Sequence, residues 1–78
     1  MLAIIVAILT TLVEFPEGTP ESNLYLLCNT DLQLWEKIKK MLLDEKLILI
    51  KGHWVTPTEK GIKTGTEMDK ALKERTNV

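Results

Sequence analysis

Apolar positions recur along this chain in three different rhythms. From Leu2 to Val13 almost every residue is apolar. As a helix, that run places Leu2, Ile5, Leu9 and Leu12 on one stripe, with Ile4, Ile8 and Val13 beside it. From Leu34 to Leu42 the spacing is helical and one-sided. Leu34, Trp35, Ile38, Met41 and Leu42 share a face, while Glu36, Lys37, Lys39 and Lys40 fall largely opposite. From Leu47 to Thr56 the rhythm changes to a strand, a turn and a second strand. Gly52-His53 suits a two-residue hairpin turn with glycine first. Pairing across it sets Lys51 against Trp54, Ile50 against Val55 and Leu49 against Thr56. Ile48, Ile50 and Val55 then form the buried face, and Leu49, Lys51, Trp54 and Thr56 the outer one.

The punctuation between these segments completes the order of elements. Pro16 stops the first helix, and Glu17-Gly18 make a turn. Thr19-Pro20 reads as an N-cap with proline at the first helical position. It opens a short second helix, about 20–28, that buries Leu24, Leu27 and Cys28. Asn29 breaks that helix. Thr30 caps the third, with Gln33 at capping-box spacing. Thr56-Pro57-Thr58-Glu59 starts a fourth helix in the same way. Gly61 and Gly65 weaken it, and Thr66-Glu67-Met68-Asp69 can restart it. Residues 66–78 are either a C-terminal helix or a frayed tail.

The expected fold is mainly α with a small two-stranded β-hairpin, a single domain over 1–78. Seventy-eight residues with 45% hydrophobic content suffice for one core. Phe15, Tyr25, Trp35 and Trp54 are the only aromatics, so Leu, Ile and Val must build most of it. The apolar first helix has more surface than one small domain covers. This points to a homodimer with Ile4, Ile8 and Val13 at its interface.

Charge, cysteine and motif content narrow the chemistry. The net charge is −1. Glu14, Glu17 and Glu21 are the only charged residues before Asp31, so the ten bases and the eight other acids leave the remainder at +2. Cys28 is the only cysteine and His53 the only histidine, which argues against a disulfide or a metal site. A free thiol in an apolar run fits the reducing cytoplasm. The Leu2–Val13 run would span only about 18 Å as a helix, short of the ~30 Å of a hydrocarbon core, so membrane insertion is not expected. No nucleophile has a partnering base and no glycine-rich phosphate loop is present, so neither an enzyme nor a cofactor is expected.

Helix, helix, helix, hairpin, helix is the winged helix-turn-helix order. Leu42-x4-Leu47-Ile48, followed by Trp54-Val55-Thr56-x-Thr58-Glu59-Lys60-Gly61, resembles MarR-like and PadR-like transcriptional regulators at the end of the recognition helix and the wing. There a "Gly-Leu-Ile" strand start is followed by a return into "Leu-Thr-x-Lys-Gly". The chain departs from that pattern at Lys46, which stands in place of the family's glycine, and in its very short wing. The resemblance implies a small prokaryotic or viral regulator that binds double-stranded DNA, with helix 30–43 entering the major groove. Gln33 can then reach a base edge, with Lys37, Lys40, Lys51 and His53 near phosphates. The competing reading is a protein-interaction module on the same scaffold, which would use Leu49 and Trp54 on the hairpin's outer face.

Overall fold

The computed structural model describes residues 2–76, with side chains through Lys73. The chain runs α1 (Leu2–Glu14), β1 (Thr19–Pro20), α2 (Glu21–Leu27), α3 (Leu32–Asp44), β2 (Ile48–Lys51), β3 (Trp54–Pro57) and α4 (Glu59–Thr76). It is mainly helical with a small antiparallel sheet in the order β1-β3-β2.

The hairpin has the register its alternation predicts: Lys51 lies opposite Trp54, Ile50 opposite Val55 and Leu49 opposite Thr56. Gly52 takes φ 64° at the tip. Ile48 and Val55 are buried, whereas Leu49 and Lys51 are exposed. The expectation of two strands needs correction. Thr19 and Pro20 form a third, pairing with Val55 and Trp54. Thr19 therefore does not cap α2. Its hydroxyl instead accepts from Asn23 Nδ2 at 3.0 Å, and Pro20 occupies the cap position without a side-chain bond. The strand wins because the Pro16–Gly18 turn brings Thr19 alongside β3, where its backbone finds partners that a cap would not supply.

Two other caps shift for local reasons. Asn29 and Thr30 both adopt left-handed backbone, φ 57°, so Thr30 cannot begin α3. Asp31 does, accepting from the Leu34 amide at 3.1 Å. Thr58 rather than Thr56 caps α4, its hydroxyl accepting from the Gly61 amide at 3.0 Å. Pro57 closes β3.

The core draws Ile8, Leu9 and Leu12 from α1, Leu24 and Cys28 from α2, Trp35, Ile38 and Leu42 from α3, and Ile48 and Val55 from the sheet. Burial pushes the Cys28 thiol pKa up, as expected of a small core hydrophobe. Two residues expected inside lie nearer the surface: Leu27 and Met41 are both more than a third exposed.

Neither Gly61 nor Gly65 interrupts α4, which is continuous from Glu59 to Thr76. Both glycines are buried where the helix backbone presses against its neighbours. A Cβ at Gly61 would lie 2.0 Å from the Leu47 carbonyl oxygen, and one at Gly65 2.8 Å from that of Leu9. α4 thus crosses α1 and the start of β2 at a distance that only glycine permits.

The Thr58-Glu59-Lys60-Gly61 stretch acts as a clasp on the α3–β2 corner. Thr58 Oγ1 donates to the Lys46 carbonyl at 2.6 Å. Lys60 Nζ donates to that of Glu45 at 3.0 Å. The Thr58 amide donates to that of Leu47 at 3.1 Å. Lys46 itself holds φ 58°, a conformation that costs a non-glycine residue on the order of 1 kcal/mol. The lysine therefore keeps the helix exit that a glycine would give, and the clasp on its carbonyl helps hold the strained corner.

Candidate nucleic-acid interface

Successive residues of a helix are turned by roughly 100°. With Trp35, Ile38 and Leu42 inward, Gln33, Lys40 and Asp44 point directly away from the core. Glu36 and Lys37 flank them on opposite sides. All five are exposed, and no other element covers them. Among the described residues Lys37 and Lys40 form no ion pair. This stripe brings together three of the residues proposed from the sequence. It also carries Glu36 and Asp44, so its charge is mixed rather than basic.

The hairpin tip is tied to α2 rather than to this stripe. Lys51 is exposed on the outer sheet face, and the His53 side chain is 96% exposed. His53 nevertheless leans toward α2: its Nδ1 lies 3.4 Å from Glu21 Oε2, and its carbonyl accepts from the Glu21 amide at 2.7 Å.

Glu21 is the residue that sequence reasoning missed. It opens α2, and its Oε1 accepts from Lys39 Nζ and from Trp35 Nε1, each at 2.9 Å. Lys39 also donates to Glu36 Oε1 at 3.1 Å and rides 5.9 Å from the centre of the Trp35 ring. The Lys39 ammonium holds the Glu21 carboxyl below the ordinary glutamate range, and the carboxylate in turn raises the lysine. One side chain therefore ties α2, α3 and the hairpin tip together. A groove of about 540 Å³ opens beside it, lined by Trp35, Tyr25 and Leu32 together with Glu21, Glu36, Lys39 and His53. No local signal could have revealed the cluster, because its partners lie 14, 18 and 32 residues away in sequence.

The remaining candidates separate. Leu49 is 61% exposed and Trp54 46%, both on the outer sheet face. The Trp54 indole N–H is committed to the Glu17 carbonyl at 3.1 Å, which fixes the ring against the α1–β1 loop. Ile8 is fully buried in the protomer's own core and offers no surface to a second copy. Ile4 and Val13 are half-buried, and Val13 packs where α4 crosses at Gly65. The apolar edge that stays open lies further toward the start of α1, where Leu2, Ala3 and Val6 meet Leu72 around a cleft of about 290 Å³.

Among the described residues no group of His, Cys, Asp and Glu could hold a metal ion, and no helix is long and apolar enough to cross a membrane. Comparison with protein-family profiles, with curated proteins and with solved structures gives no match.

Proposed function

We propose that this chain is a winged-helix domain that binds double-stranded DNA and serves as a small cytoplasmic transcriptional regulator. The observation that carries the reading is the uncovered outward stripe of α3, with Gln33, Lys37 and Lys40 exposed and the two lysines in no ion pair among the described residues. The element order, the β1-β3-β2 sheet and the clasp formed by Thr58, Lys60 and Gly61 support the winged-helix assignment. In this reading α3 enters the major groove, Gln33 reaches a base edge, and Lys37, Lys40 and Lys51 lie near phosphates, while His53 is turned to Glu21 instead.

Binding to random-sequence duplex, titrated with salt, is the test. The wild-type chain should bind at low salt and weaken steeply as salt rises. Lys37→Ala combined with Lys40→Ala should flatten the slope of log affinity against log salt by roughly 1.8, about 0.9 per lost phosphate contact. Absence of binding at low salt would rule the reading out.

Leu49 and Trp54, diagonal neighbours on the exposed sheet face, favour a second reading as a protein-interaction module. There Leu49→Ser abolishes partner capture and the two lysine changes leave it intact. The domain acts as a homodimer in the DNA reading, with the Leu2, Ala3, Val6 and Leu72 edge as the contact between copies. A sedimentation mass equal to that of one chain at micromolar concentration would refute the dimer.

A further inference from the structure

We infer that Glu21 is a specificity-determining residue of the DNA-binding face: its carboxylate withholds Lys39 from phosphate and confines backbone contact to the Lys37 and Lys40 side of α3. The inference rests on the DNA reading above and extends it to a residue outside the recognition helix.

The geometry assigns the lysines of α3 different roles. Lys37 and Lys40 are exposed and form no ion pair among the described residues, but the Lys39 ammonium sits between two carboxylates, 2.9 Å from Glu21 and 3.1 Å from Glu36. Its side chain is only 22% exposed, and that of Glu21 17%. The Glu36 contact is an exposed pair three residues apart on one helix, of a kind that contributes little. The contact to Glu21 is the better shielded one, and it is braced by the Trp35 indole N–H on the same oxygen.

Without Glu21, Lys39 would keep only the exposed Glu36 contact, and this flank would carry no net negative charge to turn nucleic acid away. Lys39, the His53 ring and the groove between α2 and α3 would accept a phosphate strand regardless of sequence. Glu21 places a negative charge at the centre of that flank and occupies its one cation. An approaching backbone is repelled there and accepted along Lys37 and Lys40. Discrimination through a repulsive element of this kind costs affinity and limits misplaced binding. It also gives a role to a short wing: the tip need not reach a groove, since its His53 leans on the carboxylate that sets the boundary.

A four-protein cycle tests this: wild type, Glu21→Gln, Lys39→Met and the double variant, each titrated with salt on random-sequence duplex. Glutamine keeps an acceptor for the Trp35 indole, so the fold is retained, and thermal melts verify it. Glu21→Gln should steepen the salt slope by about 0.9 and tighten binding on the order of tenfold at about 50 mM salt, as one added phosphate contact requires. Lys39→Met alone should leave the slope unchanged, because the lysine is already withheld. The double variant should lose the gain. If the wild type binds and Glu21→Gln shows the same slope, the inference fails and the DNA reading stands. If Lys39→Met alone loses about 0.9, Lys39 already touches phosphate and the inference fails by a route that does not depend on the glutamine variant. If neither the wild type nor Glu21→Gln binds, both ideas fall.

Discussion

Gly61→Ala should destabilise the domain by about 3 kcal/mol, even though alanine is the better helix former by about 1 kcal/mol in an open helix. The added Cβ would meet the Leu47 carbonyl oxygen at 2.0 Å and its carbon at 3.0 Å. Both are backbone atoms and cannot rotate away as a side chain can. α4 must therefore lift off the start of β2. Lifting stretches the Thr58 bonds to the Lys46 and Leu47 carbonyls, now 2.6 and 3.1 Å. It also loosens the strained Lys46 corner that those bonds hold. A domain of this size has a stability near the low end of about 5–15 kcal/mol, so the variant should be partly unfolded at 37 °C. Urea denaturation measures the effect, with the exposed Lys63→Ala on the same helix as a control expected within about 0.5 kcal/mol of wild type. A midpoint for Gly61→Ala at or above that of wild type would show that α4 can yield here.

Trp35→Ala should cost about 4 kcal/mol, the middle of the range for emptying an aromatic site in a core. Trp35 is 1% exposed and is the only aromatic among the fully buried residues, so nothing of similar size can fill the space. The loss is also polar. Its indole N–H is one of the two donors 2.9 Å from Glu21 Oε1, and the ring supports the Lys39 ammonium. Trp35→Phe separates the two contributions, keeping most of the bulk and removing the donor, at an expected cost of about 1–2 kcal/mol. Chemical denaturation followed by circular dichroism reads both variants. A cost below about 1 kcal/mol for the alanine variant would contradict the packing described.

These two sites show what was legible in the chain. Trp35 could be placed in the core from sequence because its companions Ile38 and Leu42 recur on the same helical face. The hairpin register followed from alternation and one glycine. Gly61 and Gly65 were misleading, because a glycine in a helix weakens it locally and only the position of a distant carbonyl turns it into a packing requirement. The two-residue strand β1 was hidden for a related reason: Thr-Pro is a good cap signal, and the pairing that overrides it lies across the sheet at Trp54 and Val55. Glu21 gave no sign at all. An isolated acid at the start of a short helix looks like surface, and its three partners come from two other elements.

Strand β1 has a further consequence. It forms one margin of the sheet, and it is only two residues long, one of them a proline with no N–H to offer. An incoming strand would find too few backbone groups there to fix a register, so that margin is blunted against edge-to-edge recruitment. The opposite margin is the four-residue β2, without proline and carrying the exposed Leu49. If copies of this chain pair through their backbones when crowded, they join β2 to β2 and stop at two.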